Sequence, residues 1–303
     1  MSFKGKRFLV TGGAGFIGSH MTDELIRRGA RVAIVDNLST GRRKNINPRA
    51  LFYRMNIADP RLKNVFRKFK PHYVYHFAFH VLVPKSTQDP LLDMPSIAGS
   101  LNLFENSAKH KVKKVVFSSS GFLYGNTKHL PAKETEPVDP ISPYIVSKHA
   151  VENYLKFFKV GHGLLYVVLR YAAIYGPRQI TGAMADYIRN LARGRQAKMW
   201  GNGAKTRDYV YVADVVAANL AALRVRDNHP NPVFNIGTGK ETTLNELYRR
   251  IARLLGKTPK PIYLPDRIGE QMRYSLDHSK IRRELGWRPV VSLKEGLVKT
   301  IRN

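Results

Sequence analysis

Three glycines, Gly12, Gly15 and Gly18, stand between the apolar run Phe8-Leu9-Val10 and a stretch from Phe16 to Ile26 with helical apolar spacing. A strand that passes into a helix through such a turn has few architectures open to it. The glycines let the backbone turn tightly, come close to a pyrophosphate and pack helix on strand. The first helical N–H groups, at the positive end of the helix dipole, then face the phosphates. A second apolar run, Val32-Ala33-Ile34-Val35, ends in Asp36, eighteen residues beyond Gly18. A carboxylate there accepts hydrogen bonds from the adenosine ribose hydroxyls and repels a 2′-phosphate, which favours NAD over NADP. Arg42, Arg43 and Lys44 follow and offset part of that repulsion.

The same alternation continues along the chain. Strand patterns near 7–11, 31–35, 51–55, 72–77, 114–118 and 164–169 are separated by helical segments. This order predicts an α/β fold, a Rossmann-type doubly wound parallel sheet. With 303 residues, 43% of them hydrophobic, the chain can hold one large or two interlocked domains. After about Gly176 the elements shorten and Pro and Gly become more frequent. Val233-Phe234-Asn235-Ile236-Gly237 reads as a late strand that returns to the sheet. The expected division is 1–170 for the dinucleotide and 171–303 for a smaller, interleaved α/β substrate domain.

A chemical group accompanies the dinucleotide pattern. Tyr144 and Lys148 are four apart, one turn from each other on a helix whose start is marked by Pro140 and Pro143. A nearby ammonium favours phenolate over phenol, so the tyrosine pKa is expected to fall towards the working pH. Ser118, Ser119 and Ser120 follow the apolar run Val115-Val116-Phe117 and stand at a strand's carboxyl end, where open α/β sheets place their ligands. A serine hydroxyl there can bond a substrate hydroxyl or carbonyl oxygen. Together with a dinucleotide site, these groups can take a hydride and a proton from a secondary alcohol.

Cysteine is absent, which excludes disulfides, a thiol nucleophile and cysteine-based metal sites. A cytoplasmic location is the simple expectation. No stretch approaches the length of a membrane span, the apolar stretch after the basic start is too short for a signal sequence, and histidine spacing suggests no metal. The excess of 51 Lys and Arg over 22 Asp and Glu gives a net charge of +29. Such an excess raises non-specific affinity for polyanions and costs stability at low salt. No nucleic-acid-binding motif accompanies it, so no specific nucleic-acid partner is expected.

Gly12 to Gly18, Asp36-Asn37-Leu38-Ser39-Thr40-Gly41, Ser118 to Ser120 with Tyr124-Gly125, and Pro143-Tyr144 with Lys148 share one pattern. Arg170-Tyr171, Tyr175-Gly176-Pro177-Arg178, Thr206-Arg207-Asp208-Tyr209 and Leu285-Gly286-Trp287-Arg288-Pro289 complete it. Over its full length the chain resembles the extended short-chain dehydrogenase/reductase family, the NAD-dependent sugar epimerases and dehydratases. The resemblance implies tightly bound NAD, a nucleotide-sugar substrate and a homodimer formed through paired helices. It implies cofactor contacts from Gly12, Gly15, Phe16, Ile17 and Gly18, and from Asp36, Asn37, Ser39, Thr40 and Gly41. Asn56, Ile57, Phe77, Ala78, Phe79, Ser118, Tyr144, Lys148 and Tyr171 are implied as further contacts.

Gly121-Phe122-Leu123 follows Ser120, with none of the carboxylates that the family's dehydratases and decarboxylases carry there. The region is similar to that of the 4-epimerases of UDP-galactose and UDP-glucose. By that resemblance Tyr144 is the base at the C4 hydroxyl, Ser120 bonds the same oxygen with Ser119 as the alternative, and Lys148 lowers the Tyr144 pKa and holds the nicotinamide ribose. Arg207 matches the diphosphate arginine, Arg267 with Glu270 a second arginine–acid pair, and Trp200 the residue against the nucleobase. Tyr274 matches a position whose bulk narrows the sugar pocket, which favours glucose and galactose over N-acetylhexosamines. Ala173 and Ser96 stand where asparagines are usual, Asn56 replaces an aspartate, and Phe79 and His80 replace small residues near the expected nicotinamide. These departures bear on recognition and leave UDP-glucuronate, UDP-N-acetylhexosamines and dTDP-sugars open as substrates. His80 reads as a pocket-wall or core histidine, with a proton relay as the alternative. From another class, a non-catalytic NAD-binding regulator with a basic nucleic-acid-binding surface also stays open.

Overall fold

A computed structural model describes residues 2–79, 83–257, 260–267 and 270–302; His80 lies outside them. Among the described residues, the first part of the chain holds six strands and five helices. They are β1 (Arg7–Thr11), α1 (Phe16–Arg27), β2 (Arg31–Asp36), β3 (Leu51–Arg54), α2 (Leu62–Phe69) and β4 (Tyr73–His76). Then come α3 (Val83–Gln88), α4 (Met94–Lys109), β5 (Lys114–Ser120), α5 (Pro143–His162) and β6 (Tyr166–Tyr171). The seventh strand of the sheet is Val233–Ile236, which pairs parallel with β6. In spatial order that strand is followed by β6, β5, β4, β1, β2 and β3, all parallel.

Side-chain alternation builds a core on each face of this sheet. Phe8, Val10, Ile34, Tyr75, Val116, Val167 and Phe234 point to one side and pack with Met21 and Leu25 of α1. Leu9, Val35, Val74, Val115, Phe117 and Val168 point to the other and meet Phe66, Leu103, Phe104 and Leu155. A third apolar cluster, with Tyr187, Leu191, Met199, Tyr209, Leu247 and Ile251, is built wholly after residue 171. All seven residues of β5 are buried, because helices cover both faces.

Two strands differ from their sequence expectation. β5 runs on to Ser120, two residues beyond the expected end at 118, so all three serines belong to the carboxyl end of the strand itself. Tyr166–Tyr171 begins two residues later than the apolar pattern suggests, and Leu164 precedes it as a buried loop residue. α5 opens with Pro143 in its first turn and closes at Gly163, whose φ of 66° supplies the left-handed residue at the helix end. Tyr144 and Lys148 thereby stand in the first turns of α5, against the carboxyl end of β5.

Candidate active site

The turn from β1 into α1 is built around contacts that only glycine permits. Gly12 has φ 70°, and a Cβ there would lie 2.7 Å from the Ala78 nitrogen. A Cβ on Gly18 would lie 2.3 Å from the Gly12 carbonyl oxygen. Gly15 caps α1 in an extended conformation with no side chain bonded to the helix end. Phe16, Ile17 and Gly18 line the cleft, and the first N–H groups of α1 there suit a phosphate anion. The carboxylate of Asp36 accepts from the Ala14 nitrogen at 3.0 Å and the Leu38 nitrogen at 2.8 Å. Each oxygen keeps a lone pair for a ribose hydroxyl.

These groups border a cleft of about 340 Å³ at the carboxyl ends of the strands. Of the expected cofactor residues, Gly12, Gly15, Phe16, Ile17, Gly18, Asp36, Asn37, Ser39 and Thr40 line it, as do Asn56, Ile57, Phe77, Ala78 and Phe79. The donor set and the glycine cradle therefore fit a dinucleotide. Gly41 stands behind Asp36, where a Cβ would lie 2.8 Å from the carboxylate. Sequence reasoning missed Val35, Met55, Leu92, Pro95, Gln179, Ile180 and Thr181, and it took Ser96 only as a departure from pattern. Gln179 to Thr181 follow directly on Tyr175-Gly176-Pro177-Arg178, so the signal was the continuation of a motif already recognised. The Pro177 carbonyl is 2.9 Å from His20 Nε2, and Arg178 is 2.8 Å from Asp23, so this loop is latched onto α1.

Phe79 joins the cleft to Tyr144 and Lys148, which, like Ser118 and Ser120, are not among the residues that line it. The Lys148 ammonium donates to the Ser118 carbonyl at 2.6 Å and sits 3.8 Å from the centre of the Phe79 ring and 5.8 Å from that of Tyr144. Phe79 meets Tyr144 edge to face at 5.8 Å. The Ser120 hydroxyl accepts from the Phe122 nitrogen at 3.2 Å and keeps its own proton to donate. Below this group His76 bridges Thr11 and Ser100 at 2.8 and 2.9 Å, and Ser118 donates to its carbonyl. Burial, with the Lys148 charge second, holds His76 down to about 3, so this strut is neutral.

Three expectations are corrected here. Burial raises the Tyr144 phenol above its ordinary value, with the Asp93 carboxylate as a second cause, instead of Lys148 lowering it. The physical reason is that Lys148 itself is 2% exposed, and burial takes it down to about 7, against the pull of Glu152 and Asp93. Ser119 points to the opposite side of β5 from Ser118 and Ser120 and bonds the Glu152 carboxylate, which also pairs with Arg170 at 2.7 Å. That leaves Ser119 in a buried network that runs through Tyr124 to Asn235. Tyr171 turns its phenol into the core, where it donates to Asn219 at 3.0 Å, and it does not line the cleft.

The expected substrate residues form a separate line leading away from Ser120. Phe122 is 5.4 Å from the Arg207 guanidinium and stacks on Tyr274 at 4.4 Å. Arg207 donates to the carbonyls of Thr206 and Gln271 at 2.7 and 2.9 Å. Glu270 is 2.9 Å from the buried Lys205 and 3.7 Å from Arg267, which lies 3.9 Å over the Trp200 ring. Tyr274 is 2% exposed and donates to the Tyr171 carbonyl at 3.0 Å, so it backs Phe122 and does not project as a gate. Its bulk is spent on packing, which weakens its value as a mark of sugar specificity.

A sequence profile for the NAD dependent epimerase/dehydratase family matches residues 8–237. The chain belongs to that family. A UDP-glucose 4-epimerase of Mycolicibacterium smegmatis is 38% identical, over 97% of each chain. The crystal structure of a Thermotoga maritima UDP-glucose 4-epimerase with UDP-glucose is 45% identical, with a TM-score of 0.94 over 98% of this chain and 97% of the other. A Thermus thermophilus UDP-glucose 4-epimerase in complex with NAD is 38% identical, with a TM-score of 0.93 over 98% of each chain. The chain is thus an NAD-dependent enzyme of the epimerase family.

Proposed function

We propose that the chain interconverts UDP-galactose and UDP-glucose by oxidising the sugar at C4 to a 4-keto sugar and reducing it from the other face. Tyr144 and Lys148 against Phe79 of a glycine-lined cleft, with Ser120 at the end of β5, carry this reading, and the names of the similar enzymes supply the sugar. Bound in the cleft, NAD supplies reversible hydride acceptance at C4. Tyr144 takes the C4 hydroxyl proton and later returns it, while Ser120 donates to the same oxygen and holds it in place. Lys148, one turn from Tyr144, favours the Tyr144 phenolate whenever it carries its charge. Without an acid pair after Ser120, nothing in this stretch is equipped to expel a neighbouring hydroxyl.

On this reading residues 1–170 hold NAD and 171–303 hold the nucleotide sugar, with Val233–Ile236 returned to the sheet. The diphosphate meets Arg207, and the uracil lies near Trp200 and Arg267. A second copy of the chain covers α5, whose exposed face carries Val146, Tyr154, Phe157 and Val160. Proton NMR of purified protein with UDP-galactose, UDP-glucuronate and UDP-N-acetylglucosamine in parallel tests the substrate. Conversion of UDP-galactose to a mixture with UDP-glucose, faster than either other sugar, is expected; preference for the uronate or the N-acetyl sugar overturns the assignment.

A further inference from the structure

The edge of the sheet opposite the cleft gathers positive charge. Arg7 is in register with Arg31 on the neighbouring strand. On its other side the Arg7 carbonyl accepts from the His72 nitrogen at 2.8 Å, and the His72 carbonyl accepts from the Lys113 nitrogen at 2.8 Å. Lys113, His72, Arg7 and Arg31 therefore make one row across four strands, about 4.8 Å from one to the next. The Lys6 carbonyl is bonded by the Arg31 nitrogen at 2.9 Å, and the Lys70 carbonyl by Arg7 Nε at 2.6 Å, so two more lysines neighbour the row. His72 is held below its usual range by burial and then by the charges of Arg7, Lys113 and Lys6.

Beyond the bond from Arg7 to the Lys70 carbonyl, few of these charges are used by the fold. Where α1 and α4 end at the same edge, their last-turn cations are already matched: Arg27 pairs with Glu24 and Lys109 with Glu105, each at 2.6 Å. Buried Lys114 has Asp227 at 3.1 Å. Among the described residues, exposed Lys4, Lys6, Arg31, Lys70, Lys111 and Lys113 pair with no carboxylate. Like charges gathered at one end of the strands repel one another, and a polyanion relieves that repulsion.

We propose that this edge is a nucleic-acid-binding surface that grips the phosphate backbone without reading sequence. The segments 4–7, 27–31, 68–72 and 109–114 expose no large apolar or aromatic side chain. Hence they offer neither a stacking platform for bases nor an anchor for a bilayer, and phosphate contact is what remains. The surface lies at the opposite ends of the strands from the cleft, so it binds without closing the catalytic site.

Fluorescence anisotropy of a labelled duplex of about 20 base pairs, titrated with the enzyme at about 50 to 200 mM KCl, reads this surface. Lys6→Gln, Arg31→Gln, Lys70→Gln and Lys113→Gln combined is expected to weaken binding at least about tenfold at the lower salt. It should also flatten the plot of log affinity against log salt by about 3 to 4, while NAD-dependent turnover is unchanged. A control with the same loss of charge, Arg249→Gln, Arg253→Gln, Lys257→Gln and Lys260→Gln, should lose far less. Equal loss in the two variants would show a diffuse charge effect and overturn the assignment. So would no binding of the duplex by the unaltered enzyme, or binding to phosphatidylserine vesicles in its place.

Discussion

At the scale of single residues, three adjacent serines have different tasks because a strand alternates its faces. Ser120 stands free to donate at the end of β5, while Ser119 is bound into the Glu152–Arg170 pair on the other side. Ser120→Ala is expected to lower kcat by about 10²-fold, as loss of an oxyanion donor does, with melting temperature unchanged. Ser119→Ala should do the reverse, leaving kcat within a few-fold and costing about 1–3 kcal/mol of stability, because a buried carboxylate loses a donor. Steady-state kinetics beside thermal melts separates the two. Lys148 gives a pH test. Its folded value of about 7 lies below the 10.5 of an exposed lysine. Between those values the unfolded chain binds more protons than the folded one, so this group makes stability rise with pH from about 7 to 10.5. Lys148→Met removes the cost of burying the ammonium, so its gain in melting temperature over the unaltered enzyme should be larger at pH 7 than at pH 10. A gain that grows with pH would contradict the burial argument.

At the scale of elements, two strand-to-helix junctions make the site, and they were not equally legible. The β1–α1 turn could be read from sequence because its constraint is local: Gly12 and Gly18 are demanded by backbone contacts within the turn and with Ala78. Gly18→Ala should reduce NAD affinity at least about tenfold, measured by calorimetry on protein stripped of cofactor, since its Cβ would lie 2.3 Å from the Gly12 oxygen. Unaltered affinity would mean that the turn does not hold the pyrophosphate. The β5–α5 junction was legible in its residue types, but not in its electrostatics. Tyr144 and Lys148 meet the Phe79 ring and feel the Asp93 charge, and sequence spacing cannot bring either beside α5. Tyr171 and Tyr274 illustrate the same limit. Both match positions near a ligand, yet both phenols bond inside the protein, because packing decides which way an aromatic points.

For the whole molecule, the alternation of strands and helices gave the sheet, and the return of Val233–Ile236 was readable as a late apolar run. The cleft wall at Gln179–Thr181 was not, since it depends on how a loop after β6 is latched to α1. The exposed apolar face of α5 predicts association. Phe157 is 57% and Val160 89% exposed, and Phe157→Lys with Val160→Lys should convert a dimer to a monomer in light scattering. A unaltered enzyme that is already monomeric would contradict this use of the face. The central claim, oxidation and reduction at the same carbon under Tyr144, is tested most directly by running the reaction with UDP-galactose in deuterated water. The expected product is UDP-glucose with no deuterium at C4, and a rate lower by about 10²–10⁴-fold in Tyr144→Phe. Deuterium at C4, or full activity in Tyr144→Phe, would contradict it.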